Sequence, residues 1–174
     1  MLPADCLIKR SDDGTMEFLV VETPSGRRFR VVKPLRSGGV GRVYLVIGLG
    51  ADGSLCKFAL KEYPRAENDD ERMNQANIRA NLEALIRQPV TDEDGAPLKT
   101  MVAPIEIVDF PKTGTFGYVM DYVDLEEYIS VNELLGDYPD ADVLCRIGKT
   151  LAHFFDRLAG AAGMCYKDVN EGNI

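Results

Sequence analysis

Four stretches of the sequence hold residues whose types and spacing suit phosphate chemistry. In LRSGGVGRVY, residues 35–44, Gly38 and Gly41 lie between two strand-like runs. The tip of the connecting hairpin therefore lacks side chains at those positions, and its backbone amides can approach a polyphosphate closely. In FALK, Lys61 follows the small Ala59 on an alternating run; a fixed ammonium suits oxygens that carry spread negative charge. In NLEALI, Glu83 stands beside an apolar helical stripe. In the closing YKDVNEGN, Asp168 and Asn173 have the spacing D-x-x-x-x-N. A carboxylate there can orient a hydroxyl and take its proton, and an amide oxygen can ligate Mg²⁺.

A second glycine pattern is a decoy. GLGADG, Gly48 to Gly53, matches G-x-G-x-x-G and comes after a strand-like run. A dinucleotide-binding turn must open a helix, because the helix N-terminus supplies the amides and the favourable dipole. SLCKFALKEY comes next instead, and it alternates like a strand. Asp-Gly is a favoured hairpin turn, so this segment is expected to join two strands.

The elements that must position these residues can be read from periodicity. EFLVVE, RRFRVV, GRVYLVIG and LCKFALKEY are β-branched or alternating, and TPSG, RSGG and GADGS separate them. That pattern predicts an antiparallel sheet built of hairpins. In NDDERMNQANIRANLEALIRQP, Ile78, Leu82, Leu85 and Ile86 recur at helical spacing, with Asn68 and Glu71 spaced as a capping box and Pro89 at the close. VTDEDGAPLKT has loop composition, and MVAPIEIVDF and TFGYVMDYV read as two further strands joined by PKTG. From Asp140 onward, Leu144, Ile147, Leu151, Phe154 or Phe155, and Leu158 mark an amphipathic helix ending near Gly160 or Gly163, with a loop after it.

Composition narrows the class. The 174 residues carry a net charge of −8 and a pI near 4.7, which disfavours non-specific attraction to nucleic acid or to an anionic membrane surface. Cys6, Cys56, Cys145 and Cys165 lie far apart, with no CxxC pair and only His153 to complete a metal set. That usage fits a reducing compartment, so a cytoplasmic location is expected. No apolar run reaches the roughly 18 residues of a membrane span, and Met1 to Arg10 lacks the basic head and apolar stretch of a signal peptide.

In order and placement, these parts resemble the signature set of the eukaryotic-type protein kinases, in a form closer to bacterial kinase-like proteins, over roughly residues 28–174. The resemblance implies an α+β fold: a protein-kinase-like N-lobe, with an antiparallel sheet and the helix that family calls αC, followed by a truncated helical C-lobe. It divides the chain into an N-terminal extension or hairpin (1–27), the N-lobe and hinge (28–123) and a partial C-lobe (124–174) with αD, αE and the start of the catalytic loop. Gly38 and Gly41 then take the second and third glycine places, with Arg36 in the first, and Val43 covers the adenine. Ala59 faces the adenine, Lys61 holds the α- and β-phosphates, and Glu83 orients Lys61. Met120 is the gatekeeper, and backbone groups of Asp121 and Val123 pair with the adenine edge. Asp168 is the catalytic aspartate, preceded by Tyr166 and Lys167 in place of His and Arg, and Asn173 is a Mg²⁺ ligand.

The implied activity is ATP- and Mg²⁺-dependent transfer of a γ-phosphate to a protein hydroxyl, serine or threonine first. A pseudokinase or truncated module that binds nucleotide or a partner protein is the alternative, and a small-molecule phosphotransferase of similar fold a third reading. The family's metal-binding D-F-G does not occur in the 174 residues, so this chain alone is expected to transfer phosphate poorly or not at all. The apolar residues of the 140–160 helix, at roughly 1.5–3 kcal/mol each when fully buried, approach ~10 kcal/mol together. That face is expected to seek cover on the upper lobe or on another copy of the chain, or to stay partly disordered.

Overall fold

The computed structural model describes residues 8–10, 16–38, 41–98, 101–111, 113–124, 127–128, 131–137 and 139–162. Its elements are β1 (Ile8–Arg10), β2 (Met16–Phe18), β3 (Val20–Glu22), β4 (Arg28–Gly38), β5 (Gly41–Leu49), β6 (Leu55–Glu62), α1 (Asp69–Arg87), β7 (Pro104–Phe110), β8 (Thr115–Asp121), α2 (Val131–Gly136) and α3 (Ala141–Ala162). Among the described residues, one compact unit comprises those up to Ile86 together with Ala103–Tyr122. The second comprises those from Arg87 to Val102 and from Val123 onward. No helix of the described residues is long and apolar enough to cross a membrane.

The first unit is mixed α+β: a curled six-stranded antiparallel sheet, ordered β3-β4-β5-β6-β8-β7, with α1 on one face. β1 and β2 pair as a separate antiparallel ribbon. The run EFLVVE is thus two strands, broken at Leu19, because β2 pairs with β1 while β3 pairs with β4. β4 is longer than RRFRVV suggests. Pro34 reads as a strand breaker, yet it pairs with Tyr44 between two register shifts, Val31/Lys33 and Pro34/Arg36; irregularities of this kind are where a strand accommodates the missing N–H of proline.

Alternation sends one face of the sheet inward. Tyr44, Val46, Phe58, Leu60, Val108 and Val119 form its core with Phe29 and Val31, and Phe29 meets Phe58 edge to face at 5.4 Å. Arg27 covers both rings, 5.1 Å and 5.7 Å from their centroids, and reaches Glu106 at 3.6 Å, an ion pair too long for a hydrogen bond. Since Arg27 adjoins one edge of the sheet and Glu106 lies on β7 at the other, this contact spans the curl.

On the other face α1 packs through Leu82, Ile78 and Ile86 against Ile107, Phe116, Tyr63 and Tyr118. Asn68 Oδ1 accepts the Glu71 N–H at 2.8 Å, and the Glu71 carboxylate accepts from the Glu67 N–H at 2.7 Å. The expected capping box is therefore present, with the returning carboxylate bonded one residue further out. The GLGADG segment closes the β5–β6 hairpin, its turn fastened by Gly50 N–H to Ser54 O at 2.8 Å. No helix opens after it, and the hairpin expectation holds. Gly48 has a packing role instead: a Cβ there would lie 2.6 Å from the Phe29 ring.

In the second unit, Asp140 caps α3 by accepting the Val143 N–H at 2.8 Å. Residues 90–98, the described part of VTDEDGAPLKT, form a tight hairpin-like loop in which Leu98 N–H donates to Val90 O at 3.0 Å. Arg157 ties α3 to this loop, donating to Thr91 O at 2.9 Å and Asp92 O at 3.0 Å. Of the apolar stripe on α3, Leu158 is buried, Ile147, Leu151, Phe154 and Phe155 are half-buried, and Leu144 is exposed.

Two glycines fix how closely strands approach β6. A Cβ on Gly117 would collide with the Lys61 carbonyl oxygen, and one on Gly41 would collide with that of Glu62. The strand would have to move in either case, so Gly117→Ala should cost about 1–3 kcal/mol in chemical denaturation. Gly148 is the control, since it is a helical position with open space around it. Gly148→Ala should stabilise the second unit by about 0.5–1 kcal/mol.

Candidate functional site

The register of the sheet gathers the residues that the sequence singled out on β5, β6 and β8. Directly opposed residues of an antiparallel pair project to the same side, with Cβ atoms about 4.5–5.5 Å apart. Val43 opposes Lys61, and Lys61 opposes Tyr118. Leu45 opposes Ala59, and Ala59 opposes Met120. These two rows lie side by side on the face that also holds α1, opposite the sheet's own core. Ala59 and Leu45 are buried, while Val43, Lys61 and Met120 are half-buried. The result is an apolar patch one strand wide on either side of a single ammonium.

Lys61 is unusual for a lysine. Its Nζ lies 5.1 Å from the centre of the Tyr63 ring, a cation–π distance. Burial holds its pKa below the ordinary lysine value, because partial removal from water disfavours the charged form. Tyr63 stacks on Phe116 at 5.0 Å, and burial, with Tyr118 nearby, pushes its hydroxyl up to about 12. The ring therefore stays neutral beside the lysine. A partly desolvated ammonium on an apolar face attracts an anion strongly, since less water must be displaced when the anion arrives.

Glu83 sits on α1, on the helix that packs against this face. Its carboxylate is bonded by Arg79 Nε at 3.0 Å. Arg79 also forms a two-pronged bond with Asp109 on β7, one arm at 3.1 Å, and stands 5.7 Å over the Phe116 ring. The Asp109 bond, with a smaller contribution from Glu83, raises the pKa of Arg79 above its already high value. The structure thus gives Glu83 an arginine as its ionic partner, on the same element, four residues earlier.

The remaining candidates fall at the ends of elements or outside them. Gly38 and Gly41 oppose one another where β4 meets β5, which places them at the hairpin tip. Gly41 has a φ of 135° and abuts the Glu62 carbonyl, so glycine is required there for packing, independent of any phosphate. Arg36 opposes Val43 on the neighbouring strand. Asp121 ends β8, one residue past the Pro104–Met120 pair that closes the β7 ladder, and Val123 lies exposed beyond it. Lys57 Nζ lies 5.6 Å over the Tyr122 ring between them. Asp168 and Asn173 lie outside the described residues. Among the described residues no three His, Cys, Asp or Glu side chains gather as a metal set.

Sequence reasoning overlooked two residues at this site. Arg79 was hidden among the polar positions of α1. Glu62 had a readable signal: it continues the inward series Phe58 and Leu60, so alternation alone marks it as a carboxylate aimed at the core. Two cavities, of 340 Å³ beside Arg65, Arg72 and Arg79 and of 530 Å³ between the ends of β3 and β7, include none of Val43, Ala59, Lys61 or Met120. No family model matches the chain, and no curated protein matches it.

The lysine's depressed pKa has a sign that can be measured. The unfolded chain binds more protons than the folded one between the lowered value and the ordinary 10.5, so this group's penalty is full at neutral pH and is relieved as pH rises through that window. Lys61→Met should therefore be at least as stable as the native protein at pH 7, and its stability should gain less as pH rises toward that upper limit. Denaturation midpoints at several pH values check this; an equal gain in both proteins contradicts it.

Proposed function

We propose that the first unit binds ATP on the face formed by Val43, Ala59, Lys61 and Met120, as the upper part of a protein kinase that passes the γ-phosphate to a protein hydroxyl. The observation that carries this reading is the register: two cross-strand rows bring an apolar patch and one partly desolvated ammonium together, beside a hairpin tip with glycine on both strands. An apolar patch suits a flat purine, and the ammonium suits its phosphates. In this reading Lys61 neutralises the α- and β-phosphates. Val43 and Met120 flank the base, with backbone groups of Asp121 and Val123 at its edge. Asp168 takes the acceptor proton, and Asn173 holds Mg²⁺. A protein-kinase-like N-lobe, a partial helical C-lobe and a cytoplasmic setting belong to the same proposal. Lacking a D-F-G among its residues, the chain by itself transfers phosphate slowly or not at all.

A second reading, a module that binds nucleotide without catalysis, is favoured by one observation: the Glu83 carboxylate is engaged by Arg79. Both readings require nucleotide binding. ATP at about a hundred times its dissociation constant should stabilise the protein by about 2.7 kcal/mol, read as a raised melting temperature. Lys61→Met should shrink the ATP shift much more than any shift with adenosine. No shift with saturating ATP in the native protein would overturn both readings.

A further inference from the structure

We propose that Glu62 is a positioning residue whose buried carboxylate anchors the root of the β4–β5 glycine hairpin to β6 and β8, and so holds the hairpin tip in register with Lys61. The inference deepens the nucleotide reading above and rests on it for its functional consequence. Glu62 is only 2% exposed, although it is an acidic residue in a row of Phe58 and Leu60. Its Oε2 accepts from the Tyr44 hydroxyl at 3.3 Å, and its Oε1 accepts from the Thr115 hydroxyl at 3.2 Å. The Thr115 hydroxyl is itself 2.7 Å from that of Thr113 in the β7–β8 turn. Arg42 is the direct cross-strand partner of Glu62, and its positive charge acts on the Tyr44 hydroxyl, partly offsetting the upward effect of burial on that group. One carboxylate therefore joins three strands and a turn.

Stability alone does not account for this choice of residue. Removing a charged group from water is costly, and well-packed apolar replacements are often neutral or stabilising. What the carboxylate supplies is direction: it defines which residues of β5 and β8 stand opposite β6. Its own main chain adds a second constraint, because the Glu62 carbonyl is the atom that Gly41 abuts. Side chain and backbone of one residue thus grip the hairpin at Tyr44, Arg42 and Gly41. Lys61, the preceding residue, projects to the other face beneath Val43. Loosening the grip frees Gly41 and Arg42 from β6, next to Lys61, while leaving the apolar patch of Ala59 and Met120 in place.

The test is Glu62→Gln, with Tyr44→Phe as a second variant that keeps the packing and removes one bond, should the first fail to fold. Two quantities are measured: amide exchange at Gly41–Val43, and calorimetric affinity for ATP and for adenosine. Losing a charged hydrogen bond should speed hairpin exchange and weaken ATP each by about tenfold, with adenosine changed by less than about twofold. Unchanged hairpin exchange in whichever variant folds would overturn the proposal. So would an equal loss of ATP and adenosine affinity, which marks general damage. If the native protein binds neither ligand, the nucleotide reading fails, and amide exchange alone still decides whether Glu62 anchors the hairpin.

Discussion

The first unit depends on how closely two neighbours press on β6. Gly117 from β8 and Gly41 from β5 bring their backbones against the Lys61 and Glu62 carbonyls, within distances no side chain would allow. This closeness fixes the register on both sides of the strand. Register in turn decides which residues share a face, because a slip of one residue would exchange every inward and outward side chain. Lys61 stands on the face that holds α1 and Glu62 in the core for that reason, though they are neighbours in the chain.

The two faces then acquire different chemistry. Inward, aromatic and branched side chains fill the curl of the sheet around the Glu62 carboxylate, which accepts from two hydroxyls. Outward, α1 packs on Phe116, Tyr118 and Ile107, and beside it Ala59 and Leu45 are buried while Val43, Lys61 and Met120 are half-buried. A lysine there bears the cost of partial desolvation. Arg79 stitches α1 to β7 through Asp109 and draws Glu83 into the same ion network. The helix is thus pinned to the sheet beside Phe116.

Much of the element order was legible because its signals are local. Alternation marked β5 to β8, the spacing of Ile78, Leu82 and Ile86 marked α1, and Asn68 and Asp140 marked helix starts through their own capping bonds. The decoy glycines were resolved by the segment after them, a strand in place of a helix. Long-range features were not legible. Pro34 concealed the far half of β4, since the register shifts that accommodate it belong to the pairing with β5. The role of Gly117 is set by a carbonyl on another strand, and the arginine partner of Glu83 by charges that a helical wheel alone does not rank. Lys61, Ala59, Val43 and Met120 were found by motif; that they share a face is a consequence of register, which only the folded sheet displays.

The most direct test of the account is to map where ATP touches the first unit by nuclear magnetic resonance of the backbone amides and the Ala, Val and Met methyl groups. We expect the largest changes at Val43, Ala59, Lys61 and Met120 and at the hairpin residues Gly38 and Gly41, with the inward-facing Val46 and Val108 little altered. Changes centred on the arginine-lined cavity of Arg65, Arg72 and Arg79, or no changes at saturating ATP, would contradict a nucleotide site on the Lys61 face.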